Sequence, residues 1–140
     1  MFHVAESEDD RRRVFAVRAI VFCEEQLVPY NIELDKFEDS AIHILGELGG
    51  EPIASGRLRF IREYARIERL AVRKSYRRNG YGNLLLKYML EHAREKGFSK
   101  FKLHAQVTTE KFYTNHGFKP EGDEFLEADI AHRVMLKHDS

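Results

Sequence analysis

The chain has 140 residues, with 23 basic (Lys plus Arg) and 23 acidic (Asp plus Glu) side chains, 43% hydrophobic and 33% charged residues. This is the profile of one ordinary globular domain over residues 1–140, with enough apolar mass for a core. Zero net charge argues against a dedicated nucleic-acid binder, and no apolar run approaches the ~20 residues of a membrane span.

A single cysteine, Cys23, rules out an intramolecular disulfide and suits a reducing compartment. The N-terminus turns acidic at Glu6 to Asp10 and lacks the basic and apolar regions of a signal peptide, so the expected location is the cytoplasm. Phe2 to Ala5 reads as a short strand, and Ser7 followed by Glu8, Asp9 and Asp10 as a helix start. Val14, Val17 and Val21 share one helical face; Arg18 beside them either pairs with a carboxylate or is solvated. Pro29 makes helix unlikely beyond Val28, and Glu33, Asp35, Glu38 and Asp39 then make the most acidic stretch.

Ala41 to Leu48 and Ile53 to Ile61 read as a hairpin about Gly49 to Pro52, and a turn near Arg62 leads to an apolar strand with Ile67, Leu70 and Val72. After the loop Arg73 to Gly82, Leu85, Leu86, Met89 and Ala93 recur at helical spacing, and Lys96-Gly97 stops that helix. Phe101, Leu103 and Ala105 alternate as a strand, which the crossover should set parallel to the Arg66 strand. Thr108 is a candidate N-cap for a short helix ending at His116-Gly117. Strands near Phe118, at Glu124 to Glu127 and at His132 to Lys137 follow.

The glycine loop carries the chemistry. A helix N-terminus presents unpartnered N–H groups and a positive dipole end, which suit a phosphate. Gly80 and Gly82 remove the Cβ atoms that would hold an anion away, and Arg77 and Arg78 add permanent charge, so a di- or polyphosphate is expected there. No Lys-Ser or Lys-Thr follows the glycines, as a Walker loop requires, and Gly80-Tyr81-Gly82-Asn83-Leu84-Leu85 fails the dinucleotide fingerprint. Taken alone, the loop could equally be a surface turn.

Arg77-Arg78-Asn79-Gly80-Tyr81-Gly82 resembles the Arg/Gln-x-x-Gly-x-Gly/Ala pyrophosphate loop of the GNAT superfamily of acyl-CoA-dependent N-acetyltransferases. Lys111 to Phe118 resembles that superfamily's Phe-Tyr-x-x-x-Gly-Phe signature. Val21-Phe22, Glu25-Gln26, Asp35, Asp39, His43 and Glu127 to His132 look like the ElaA-type branch. The chain departs from many relatives at Gln106, where they carry Asn, and at Thr109, where they carry Ala. The resemblance implies an α/β (α+β) fold: one mixed, mostly antiparallel twisted sheet of about six to seven strands with about four helices, splayed between the fourth and fifth strands.

It also implies acetyl-CoA as co-substrate, without a metal. The arm would lie on Leu70, Ala71 and Val72 and near Gln106, and the pyrophosphate on Arg77, Arg78, Asn79, Gly80, Tyr81, Gly82 and Asn83. In this fold the acidic stretch after Pro29 closes over the acceptor, so it is either a wall for a cationic amine or a solvated loop. Glu25 and Glu127 are the carboxylates expected at the acceptor, a small-molecule amine or a protein amino group. Neither nucleic acid nor membrane is an expected partner, and the assembly would be a monomer or homodimer.

Acetyl transfer needs a neutral amine, yet an alkylammonium has a pKa near ~10.4, so a base must take its proton. Glu68 is the first candidate, provided that burial raises its pKa; a plain ion pair with a neighbouring arginine is the alternative. His132 is the second candidate base, since an unperturbed imidazole titrates near about 6.5. Tyr113 matches the superfamily's tyrosine that protonates the departing thiolate. Cys23 is better explained as a packed thiol than as an acyl carrier. A non-catalytic acyl-CoA-binding sensor or interaction module on the same fold is the rival reading.

Overall fold

The computed structural model describes residues 1–139. Seven strands form one sheet: β1 (Phe2–Val4), β2 (Ile42–Leu48), β3 (Glu51–Ile61), β4 (Tyr64–Val72), β5 (Lys100–Gln106), β6 (Lys119–Glu127) and β7 (Ile130–His138). Their order is β1-β2-β3-β4-β5-β7-β6, antiparallel throughout except for the β4–β5 pair. Four α-helices accompany them: α1 (Glu8–Arg18), α2 (Tyr30–Glu33), α3 (Tyr81–Glu95) and α4 (Glu110–Thr114).

Local chemistry accounts for most boundaries. Ser7 Oγ accepts from the Asp10 N–H at 3.0 Å and caps α1, whose first turn holds Glu8, Asp9 and Asp10 against the positive dipole end. Helix α1 continues as π-helix from Ala19 to Glu25 and stops at Gln26, where Leu27 turns to φ +62°. Pro29 then opens the one-turn α2, a helix in a segment expected to be irregular. The short fourth helix begins one residue later than expected, with Thr109 at its N-cap. The separate strands expected near Phe118 and at Glu124 to Glu127 are one strand, β6, interrupted in its pairing between Glu121 and Phe125.

The core lies between the sheet and α3. Leu85, Leu86, Met89, Leu90 and Ala93 pack on Ile44, Leu58, Ala65, Ile67, Phe101, Leu103 and Met135, all buried. Truncating one such Leu or Met to Ala would cost about 2–5 kcal/mol. Gly56 makes room for Met89, whose thioether end a Cβ there would displace. On the opposite sheet face, α1 and the segment from Ala19 to Asp39 cover β3 and β4.

Two irregularities shape the middle of the sheet. The β4–β5 pairing covers only Tyr64, Ala65 and Arg66 against Lys100, Phe101 and Lys102, so the strands part beyond Arg66. Opposite β3, Ser55 pairs with Ala71 and Arg57 with Glu68; Gly56 alone faces Arg69 and Leu70, a β-bulge with Arg69 at φ +51°.

Candidate active site

The parted strands open a cleft of about 1020 Å³. Beyond Arg66, the β4 groups that would have bonded to β5 have no strand partner, so Ile67 to Val72 offer an open ladder to an extended, amide-bearing ligand. The bulge at Arg69 and Leu70 breaks the strand's alternation and re-aims the backbone there. A non-glycine residue held at positive φ inside a strand carries strain of about 1–3 kcal/mol, of the kind that clusters at working sites.

At one end the cleft meets the start of α3. Gly80, at φ +82°, is the helix N-cap, and the first intrahelical bond runs from the Leu84 N–H to the Gly80 carbonyl at 3.1 Å. The N–H groups of Tyr81, Gly82 and Asn83 precede that bond and point out of the helix end. Gly82 has room for a Cβ only 3.5 Å from the Phe112 ring, so the ring floors the loop.

The two arginines of the loop divide their work. Arg77 donates to the Val72 carbonyl at 2.8 Å and makes a two-pronged pair with Glu25, both contacts 2.6 Å. Its charge is therefore engaged within the protein, whereas Arg78, at φ +65°, has no ion pair among the described residues. Glu25 consequently sits at the phosphate loop and not among the cleft-lining residues, contrary to its expected place beside an acceptor. Gln106 lines the cleft and donates to Gln26 Oε1 at 2.9 Å, a bridge from β5 to the end of the π-helix.

The acidic stretch after Pro29 is neither a solvated loop nor a free acidic wall. Arg18, 1% exposed, pairs with Glu33 and Glu38; Arg57, equally buried, pairs with Asp35, Glu38 and Glu68. Burial alone would raise the Glu38 carboxyl, but the Arg18 hydrogen bonds and the Arg18 and Arg57 charges outweigh it and hold the pKa at about 2. Three of the four acidic residues named from the sequence are thus neutralised inside, and Asp39 alone stays exposed.

Glu68 belongs to the same network. Burial would raise its carboxyl, yet hydrogen bonds from Arg59 and the charges of Arg57 and Arg66 bring it net below the usual value. The expected lift by burial is not met: the carboxylate is stabilised as the anion, which weakens it as a base.

Tyr113 and His132 both line the cleft. Burial pushes the Tyr113 phenol up to about 12, and its hydroxyl makes no hydrogen bond to a described residue. His132 Nδ1 lies 2.6 Å from the Ile130 carbonyl, which can only accept, so Nδ1 carries the proton and the neutral ring keeps its lone pair on Nε2. Nε2 is 3.7 Å from Glu127 Oε2, while Glu127 Oε1 accepts from His104 Nδ1 at 3.0 Å. Glu127 precedes a two-residue hairpin turn in which Ala128 and Asp129 have φ +51° and +60°, values usually left to Gly or Asn.

Sequence reasoning missed Arg57, Arg59, Arg66, Arg69 and His104 at this site. Their only signal was alternation on β3, β4 and β5 opposite the apolar core positions. His3, Asp10 and Glu47 bring three metal-type ligand atoms within 4.8 Å of one another, but none of them lines the cleft. No helix among the described residues is long and apolar enough to cross a membrane.

A parted parallel strand pair, a glycine loop on a helix start and an unpartnered tyrosine in the lining of the same cleft are the features of a coenzyme A-dependent acyltransferase. Residues 8–118 match the Acetyltransferase (GNAT) family. The Bacillus subtilis protein named uncharacterized N-acetyltransferase YjcF is 37% identical over 135 residues, 96% of each chain. A Lactobacillus plantarum structure described as an N-acetyltransferase superposes with TM-score 0.92 at 26% identity, over 99% of this chain and 97% of the other. Escherichia coli ElaA superposes with TM-score 0.85 at 25% identity, over 99% of both. A B. subtilis acetyltransferase in complex with CoA shares the fold, with TM-score 0.75 at 15% identity over 99% and 98%. The chain belongs to the GNAT acetyltransferase family, with ElaA among its structural neighbours, and is an acetyl-CoA-dependent N-acetyltransferase.

Proposed function

We propose that the chain transfers an acetyl group from acetyl-CoA to a primary amine in the β4–β5 cleft, with His132 as base and Tyr113 as acid. The observation that carries this reading is the pair itself: an imidazole with its lone pair on Nε2 and an unpartnered phenol line one cleft.

Coenzyme A fits the residues present. Its pyrophosphate matches the N–H groups of Tyr81, Gly82 and Asn83 and the charge of Arg78, and its amide-bearing arm matches the open β4 edge at Leu70, Ala71 and Val72. Asn79 and Gly80 shape the loop, and Gln106, held by Gln26, faces the arm from β5. Bound there, acetyl-CoA supplies an acyl carbon activated by its thioester.

His132 Nε2 takes a proton from the acceptor ammonium, which frees the nitrogen lone pair for attack on that carbon. The His132–Ile130 hydrogen bond holds the ring in the tautomer that can do so. As the carbon–sulfur bond breaks, the Tyr113 phenol donates its proton to the sulfur, and the second proton shed by the new amide nitrogen restores the phenol. A phenol at about 12 stays protonated at any working pH. The same apolar surroundings disfavour a free thiolate, which narrows the gap between donor and acceptor. Glu127, beside His104 and His132, steers the ammonium toward the base.

The test is thiol release. Purified protein with acetyl-CoA and a panel of amines should liberate CoA, detected with a thiol-reactive dye, at a rate that depends on the amine. Tight acetyl-CoA binding with no amine-dependent release would favour a sensor instead.

A further inference from the structure

We propose that the acceptor amine also carries a carboxylate, and that Arg66 on β4 binds it. This rests on the acetyl-transfer reading for the word acceptor, but its physical basis is the charge balance of the cleft.

Arg18, Arg57, Arg59, Arg66 and Arg69 face Glu33, Asp35, Glu38 and Glu68 on this side of the sheet, which leaves one guanidinium in excess. Four of the five are consumed. Arg57 holds Asp35 with two bonds of 2.8 and 3.0 Å, and Arg59 holds Glu68 with two of 2.7 and 2.9 Å while lying 3.7 Å over the Phe37 ring. Arg69 holds Glu33 through its carboxylate and its carbonyl, both at 2.9 Å, and Arg18 shares Glu33 and Glu38.

Arg66 is the exception. Its one ion pair is Nη2 to Glu68 Oε2 at 3.3 Å, an oxygen that already accepts from Arg59, and its Nε is buried with no partner. Burial also drives the Arg66 guanidinium below its usual value, and the charges of Glu68 and Glu127 do not offset it against Arg59 and Arg57. Lys102 pairs with Arg66 in the β4–β5 register and has no ion pair among the described residues, so nothing on β5 supplies the missing anion.

Arg66 lines the cleft, and the opposite wall carries Glu127, His104 and His132. The cleft is therefore polarised, cationic on β4 and carboxylate–imidazole on β5, β6 and β7. The two Nη atoms of this planar guanidinium make no hydrogen bond among the described residues and can meet a carboxylate through two parallel bonds. An amino acid or similar zwitterion could lay its carboxylate on Arg66 and turn its amine toward His132 and Glu127. A polyamine would instead set a second ammonium against Arg66 and Lys102.

Calorimetry on the CoA-loaded protein tests this with product-like probes: N-acetylated forms of the common amino acids, each beside its carboxamide. We expect at least one acid to bind about ten-fold or more tighter than its amide, as a charge-assisted pair against a neutral group implies. Arg66→Gln should erase that difference while leaving the amide's affinity unchanged, and Arg66→Lys should restore part of it. No acid preference in the unsubstituted protein, or a preference that survives Arg66→Gln, overturns the proposal. The wild-type comparison stands even if the variants fail to fold. Turnover fails separately: an acid probe that binds through Arg66, in a protein that releases no CoA with the parent amino acid, refutes acetyl transfer and leaves the anion site intact.

Discussion

Arg57 and Glu68 face each other across β3 and β4, with Nη2 and Oε1 2.9 Å apart and side chains only 1% and 8% exposed. They stand at the centre of a network that also holds Asp35, Glu38 and Arg59. The buried arginines of such a network keep their counter-charges only while the carboxylates are ionised, which ties the stability of the fold to pH.

Acid should therefore unfold this protein progressively. A carboxyl whose folded pKa lies below its unfolded value contributes stability that is fully present above the unfolded pKa and lost as pH falls through the folded one. For Glu38 that window runs from the ordinary carboxyl value of 4.5 down to about 2, and the shift corresponds to stability on the order of 3 kcal/mol. Asp35 and Glu68 are shifted in the same direction. Urea unfolding at neutral pH and at pH steps below 4.5 measures it. Glu38→Gln should start less stable and show a shallower acid decline; an equally steep decline would remove Glu38 from the account.

Gly82→Asp should abolish CoA binding while the protein stays folded. Gly82 is outside the positive-φ glycines, and a Cβ there meets the Phe112 ring at 3.5 Å and Val72 at 3.9 Å, both ordinary contacts. The new carboxylate would face the helix N-terminus that a pyrophosphate needs. Calorimetry with CoA beside a thermal melt checks both halves, and unchanged CoA affinity would remove the pyrophosphate from this loop.

Tyr113→Phe should lower turnover with CoA affinity nearly intact, since the phenol has no hydrogen-bond partner among the described residues to lose. A residue that merely packs against Phe112 and Phe118 would tolerate the same isosteric change. Steady-state kcat beside calorimetric affinity separates the two.

The parts of the site legible in the sequence are those made from neighbours along the chain. Ser7 with its acidic followers, the glycine loop before an amphipathic helix, and the crossover that makes β5 parallel to β4 each declare themselves within a short window. The arginine–carboxylate network does not, because its partners are remote in sequence. Arg18 meets Glu33 fifteen residues on, Arg57 meets Asp35 across 22 and Arg69 meets Glu33 across 36, so each charge reads locally as a solvated one. The bulge at Arg69 and the turn at Ala128-Asp129 were hidden for a different reason: both take positive φ without a glycine or asparagine to announce it.

Glu25→Gln should tighten CoA binding slightly and leave the acceptor KM unchanged. Glu25 lies on the phosphate loop through Arg77, where its charge repels an incoming pyrophosphate and occupies the guanidinium. Both side chains are about a third exposed, and such pairs are worth about 0.2–1 kcal/mol, so the gain should stay within about five-fold. A raised acceptor KM with unaltered CoA affinity would return Glu25 to the acceptor side.

The last prediction concerns the base. Glu68 and His132 both line the cleft, and their surroundings favour opposite roles. Glu68 is pinned as an anion by Arg57, Arg59 and Arg66, and taking a proton would break that network. His132 has one nitrogen committed to the Ile130 carbonyl and the other free of any bond within hydrogen-bonding distance, with Glu127 3.7 Å away to favour the imidazolium that forms. If His132 is the base, His132→Asn should lower turnover by about 10² to 10⁴ in a folded, CoA-binding protein. Glu68→Gln should show itself first as lost stability, about 3–5 kcal/mol for one partner removed from a buried pair, with a smaller change in turnover once the protein is kept folded. Thermal melts and kcat measured on both variants decide the matter: a stable Glu68→Gln protein that is dead, beside an active His132→Asn protein, reverses the assignment.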